Sequence, residues 1–229
     1  MPTPASHPAS ALLPAAAMAD VLDSLALLQL LAYLQSELYS RALAVPAFIP
    51  ADDVAVFQAL SDQESQHIAT LSGLITTRLG TPVVRPTFDF TGKGAVPGFV
   101  FGAAQYETFR MLAQAFEDLS VRAYKGQLQA LQPDTPALTF ALAIHSVEGR
   151  HAAKIRRLRG KTAWITGDSA DDLPPFAAAI YAGENVTTQG SVNVASSIGS
   201  AAGADAASQA FDEPLTTEQV TAIITPFIV

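Results

Sequence analysis

Gln63-Glu64-Ser65-Gln66-His67-Ile68-Ala69-Thr70-Leu71 is the stretch on which the fold turns. Leu60, Glu64, His67, Leu71 and Leu74 step by four and three, the spacing that lines one inward face of an α-helix. A carboxylate and an imidazole therefore stand where a bundled helix places leucine. The same turn recurs as Glu148-Gly149-Arg150-His151, flanked on one face by Ala141, Ile144, Ile155 and Leu158. Two buried Glu-x-x-His turns would each cost several kcal/mol in desolvation unless something compensates them. A shared metal ion compensates both. Bundles in which two helices supply Glu-x-x-His and the other two supply a carboxylate build dinuclear sites in this way. Satisfied polar pairs inside the core are the plainer alternative.

Proline and glycine mark out the rest of the chain. Helix one is expected over about 20–44, from Asp20 as N-cap to the residues before Pro46, and helix two over about 51–79, between Pro50 and Gly80. Residues 81–98, TPVVRPTFDFTGKGAVPG, cannot be helical. Fully extended they reach about 60 Å, enough to travel back along a helix of about 42 Å. Helix three is then expected over about 99–131 and helix four over about 136–159, with Asp134 as its N-cap and Gly160 as its stop. The chain reads as all-α, an up-down-down-up four-helix bundle with one long crossover over residues 20–160. Residues 1–19 read as a flexible arm.

Residues 161–229 differ in composition. Gly183 to Gln209 is rich in Gly, Ser, Ala and Thr and has little periodicity, so an irregular extension lying on the bundle is expected. It ends in a short helix opened by a Thr216/Gln219 capping box and closed near Pro226. This tail is expected to contact the bundle or a partner, and a homo-oligomer is compatible with the sequence.

The two halves read as a repeat. Tyr39 precedes Glu64 as Tyr124 precedes Glu148, and Glu117 lies seven residues before Tyr124. The matching position on helix one is Ala32, which can ligate nothing. Glu37 lies about 140° away around the helix, while Gln35 faces inward with a weakly ligating amide. The candidate metal ligands are therefore Glu64, His67, Glu117, Glu148 and His151, with Tyr39, Tyr124 and Gln35 around them. Glu107, about 15 Å from Glu117 along the helix, falls outside.

Composition removes several function classes. A net charge of -8 argues against a nucleic-acid surface. The run Lys154, Arg156, Arg157, Arg159 and Lys161 sits at a helix C-terminus, where cations offset the dipole. No cysteine is present, which excludes disulfides, iron–sulfur clusters and thiolate zinc sites. The N-terminus lacks a basic region before its apolar residues, and Val21 to Leu34 is interrupted by Asp23, Ser24 and Gln29, so neither a signal peptide nor membrane insertion is expected. The expected location is cytoplasmic.

LAYLQSELYSRAL, QESQHIATL, FEDLSVRAY, IHSVEGRHAAKIR and the closing FDEPLTTEQVTAIITPFI together resemble the bacterial ferritin-like domain proteins that also include the plant desiccation-related proteins. A more distant likeness runs to rubrerythrin and ferritin. The resemblance implies metal-facing roles for Glu64, His67, Glu117, Glu148 and His151, and glutamates where this chain has Ala32 and Gln35. Both departures fall on helix one.

An asymmetric di-iron-type centre is the expectation. Glu117, Glu148 and His151 would hold one metal, with Glu64 and His67 forming a weaker position or a bridge. Iron is the expected metal, and manganese or zinc suits the same donors. Paired irons would make oxidation by O2 or peroxide the natural chemistry, as in a ferroxidase- or peroxidase-like oxidoreductase. The competing reading is a structural, stress-protective or assembly protein whose centre has lost its metal.

Overall fold

The computed structural model describes residues 13–197 and 203–229. Four long helices carry it: α1 (Ala15–Ala44), α2 (Ala51–Thr77), α3 (Tyr106–Leu131) and α4 (Thr135–Leu158). Their ends follow the local chemistry. Pro50 precedes α2, whose first turn holds Asp52 and Asp53 at the positive end of the helix dipole. Asp134 caps α4 by accepting from the Ala137 amide at 3.0 Å.

Two starts differ from the sequence expectation. Helix α1 begins at Ala15, ahead of Asp20, because Pro14 presets the first turn and Ala15, Ala16, Ala17, Met18 and Ala19 are strong helix formers. The remainder of the expected arm, residues 1–12, lies outside the described residues. Helix α3 begins at Tyr106, seven residues after Phe99. Phe99 turns inward as part of an aromatic cluster, 5.1 Å from Phe101, and tertiary packing there overrides helix propensity.

Side-chain contacts give the order of the bundle. Ser24 donates to Gln127 at 3.0 Å and Tyr39 to Glu117, so α1 and α3 run antiparallel. Arg78 at the end of α2 pairs with Asp134 at the start of α4, so those two are antiparallel as well. The crossover climbs back along α1. Val83 N–H donates to Gln29 at 2.8 Å, Arg85 pairs with Glu37 at 3.1 Å, and Arg41 donates to the Phe88 carbonyl at 3.2 Å. The result is an up-down-down-up bundle with one long crossover. Glu37, turned away from the interior, holds that crossover.

Two apolar clusters flank a polar middle layer. One contains Leu34, Leu38, Phe48, Phe57 and Phe109; the other contains Val21, Leu25, Leu28, Leu71 and Ile75. The segment Val21 to Leu34, expected to be too short and polar to span a bilayer, belongs to a 30-residue helix that has the length and apolarity to do so. In the fold, Leu25, Leu28, Leu31 and Leu34 are buried among the other helices.

The extension contains more regular structure than its composition predicts. After α5 (Ala178–Tyr181) come β1 (Thr188–Gln189) and β2 (Val192–Asn193), then α6 (Val194–Ser197), α7 (Gly203–Ala210) and α8 (Thr217–Ile224). Gly190 and Ser191 both have positive φ, the signature of a tight two-residue hairpin turn. The Thr216/Gln219 capping box opens α8.

Buried Arg122 on α3 gathers this segment. It donates to the carbonyls of Glu213 (2.7 Å), Ala182 (3.1 Å) and Ile180, and pairs with Glu184 at 2.6 Å. One turn on, the chain passes so close to Gly126 that a Cβ there would sit 1.9 Å from the Leu215 oxygen. The last residues pair with the crossover, Val229 N–H donating to Thr87 at 3.0 Å.

Candidate metal centre

The 3.6-residue repeat of α2 and α4 turns Glu64, His67, Glu148 and His151 into the middle layer, and α3 adds Glu117. All five are buried, the three glutamates at 0 to 1% exposure. One donor atom each from Glu64, Glu117, Glu148 and His151 lies within 4.8 Å of the others. His67 stands beside this group, its Nδ1 3.2 Å from Glu64 Oε2 and 3.2 Å from Glu148 Oε1.

Glu64 Oε1, Glu117 Oε2, Glu148 Oε1 and His151 Nδ1 are buried and make no well-aligned hydrogen bond. What they have instead are carboxylate–imidazole contacts at 3.2 to 3.5 Å. Three buried carboxylates compensated by two imidazoles alone suit a cation. An oxygen-rich set with one or two imidazoles fits iron, manganese or zinc.

The two imidazoles cross-pair. His67 Nδ1 faces Glu148 at 3.2 Å and His151 Nδ1 faces Glu64 at 3.3 Å, as a pseudo-twofold repeat requires. His151 has a further carboxylate, Glu117, at 3.5 Å. Burial pushes both imidazoles down, and the surrounding carboxylates outweigh it. His67 is raised to about 9 by Glu148 and Glu64, and His151 to about 11 by Glu117, Glu64 and Glu148. Burial, then the charge of Glu64, pushes Glu148 up to about 8. Burial acts to raise Glu64, but His151 and His67 hold it below its ordinary value.

The expected surroundings divide unequally. Tyr39 donates to Glu117 Oε1. Gln35 accepts from Ser120 at 2.9 Å and donates to Glu148 Oε2 at 3.4 Å, which orients that carboxylate. Tyr124 differs: its buried hydroxyl has no partner, and the ring packs in the same apolar cluster as Ala32. Glu107 lies at the surface, paired with Arg110 and Arg159.

The family model for the ferritin-like domain matches residues 20–161, the bundle that carries every one of these side chains. The chain belongs to this family. No curated protein matches it.

Within this ferritin-like domain, Gln63 escaped the sequence reading. Its Oε1 lies 3.0 Å from His151 Nε2, so it accepts the Nε2 proton and leaves Nδ1 facing the carboxylates. Its position next to Glu64 was the available signal, but the helical repeat assigns Gln63 to the edge of the seam. The basic run ending α4 also does more than offset a dipole. Arg156 forms a two-pronged pair with Asp118 at 3.0 and 2.6 Å, and Arg159 pairs with Asp172 at 2.9 Å.

Proposed function

We propose that this ferritin-like domain binds one transition-metal ion, iron in the leading case, between Glu64, Glu117, Glu148 and His151. The convergence of one donor atom from each of these four buried side chains within 4.8 Å carries the reading. His67 serves as a weaker flanking ligand, because Ala32 withholds the carboxylate that would complete a second position.

A bound iron would supply one-electron redox chemistry toward O2 or peroxide. The protein's own part is positional. Gln63 fixes the tautomer of His151, Gln35 and Ser120 set the angle of Glu148, and Tyr39 holds Glu117. The apolar clusters above and below shield the layer at both ends, which strengthens the charge–charge interactions within it.

Metal per chain after anaerobic iron loading tests this, beside a His67→Ala, His151→Ala double variant. About one iron per chain, lost in the variant, is expected. No iron in either protein rules the reading out, and two irons per chain rule out the role given to Ala32.

A further inference from the structure

Helices α2 and α4 part beside His151 and leave a cleft of about 480 Å³. From Ala55 to Gln63 it extends about 12 Å along α2 at the helical rise of 1.5 Å per residue. Its α2 wall is apolar, with small Ala55 and Ala59 leaving room beside Val56 and Leu60. Val147 lines it from α4, and the more buried Gln63 and His151 form its inner end. A volume of several hundred Å³ with apolar walls and a few convergent polar groups is the usual form of a small-molecule site.

The polar groups indicate what enters. Arg150 and Lys154, one turn apart on α4, line the cleft and are exposed. Among the described residues neither takes part in an ion pair or a side-chain hydrogen bond, whereas Arg156 of the same helix pairs with Asp118, and Arg159 just past its end with Glu107 and Asp172. Two free cations beside an apolar groove, in a chain of net charge -8, are the wrong sign for a metal-entry route. They suit an anion, and the walls suit hydrocarbon.

We infer that the α2–α4 cleft binds an organic monocarboxylate with an apolar body. Its carboxylate pairs with Arg150 and Lys154, the guanidinium offering two parallel donors. The hydrocarbon lies against Val56 and Leu60. The inference deepens the metal reading, on which it rests for any reaction at the centre. Occupancy of the cleft stands on the groove alone.

Calorimetric titration of the chelator-treated full chain with hexanoate, octanoate and decanoate tests it without metal. Saturable binding that tightens roughly two- to fourfold per added CH2 is expected from burial of the chain. In an Arg150→Glu, Lys154→Glu variant, octanoate should bind at least tenfold more weakly, and 1-octanol about as in the wild type. Ala59→Trp, on the exposed side of α2, should block both ligands with circular dichroism unchanged. Absence of saturable binding, equal affinity for octylammonium, or indifference to the charge reversal would overturn the inference. Metal per chain after anaerobic iron loading, measured on separate aliquots of the same preparations, separates the two readings. Carboxylate binding without metal supports the cleft and sinks the centre, and metal without carboxylate binding does the reverse.

Discussion

Tyr39 and Tyr124 occupy equivalent places in the repeat, yet removing their hydroxyls should have opposite effects. In Tyr39→Phe the lost group is a buried donor to the Glu117 carboxylate, which is itself fully buried. Hydrogen bonds to charged groups contribute about 1.5–3 kcal/mol, and a carboxylate oxygen left without its donor puts the expected loss near the top of that range. In Tyr124→Phe the lost hydroxyl has no acceptor. Its removal abolishes a desolvation cost of about 1–3 kcal/mol, so the variant should be unchanged or more stable by about 1 kcal/mol. The two identical substitutions should therefore differ by about 3 kcal/mol.

Urea unfolding of chelator-treated protein, with matched m-values, reads the difference directly. The cause is testable in the same experiment. Ala32→Glu places a carboxylate where the repeat expects one, within the cluster that holds Tyr124. In that background Tyr124→Phe should change sign and cost about 1.5–3 kcal/mol. The metal content of Ala32→Glu alone should rise from one to two ions per chain. Equal costs for the two tyrosines, or a Tyr124 effect that ignores residue 32, would refute the pseudo-twofold account of the site.

Three further expectations concern other parts of the molecule. His67 and His151 are raised from 6.5 to about 9 and about 11, so their stabilisation of the metal-free protein is complete below pH 6.5 and lost as pH rises through those values. Differential scanning fluorimetry should thus show the metal-free midpoint falling above pH 6.5, while the increment added by metal grows, because bound ligands must give up their protons. Gln63→Leu removes the acceptor for His151 Nε2 and should weaken metal binding by about 10- to 100-fold in a competition titration, with the metal-free protein less stable by about 1–3 kcal/mol because a buried N–H loses its partner. Gly126→Ala gains about 1 kcal/mol of helix propensity but drives a Cβ into the Leu215 carbonyl; net destabilisation of about 1–3 kcal/mol and faster proteolysis after α7 are expected.

How much of this was legible depended on whether the deciding contact was local. The four helices were readable because Pro46, Pro50, Pro82, Pro133 and Gly160 punctuate them and the seams repeat at helical spacing. The two Glu-x-x-His turns and the vacancy at Ala32 needed only that spacing and the internal repeat. Phe99 and Phe101 read as the first turn of α3 until the aromatic cluster they complete is seen. Arg122 and Gly126 carried no local signal at all, since their partners lie 58 to 91 residues away at Ile180 and Glu213, and at Leu215. Helix α7 was hidden by an Ala- and Ser-rich composition that lacks a broad apolar stripe and buries only Ala207 and Ser208.

Ala32 links observations that look separate. Across the pseudo-twofold axis, Glu117 with its donor Tyr39 corresponds to Ala32 beside an undonated Tyr124. The same exchange explains the imidazoles. His151 has three carboxylates around it and is raised to about 11; His67 has two and reaches only about 9. A cation placed in the layer is drawn to the half with more negative charge, which is the half formed by Glu117, Glu148, His151 and the bridging Glu64. Under the proposed metal binding, the carboxylate missing at residue 32 would set the number of ions and the half that holds one. It also leaves His67, still buried and still paired with Glu64 and Glu148, as the part of the second position that a single substitution should restore.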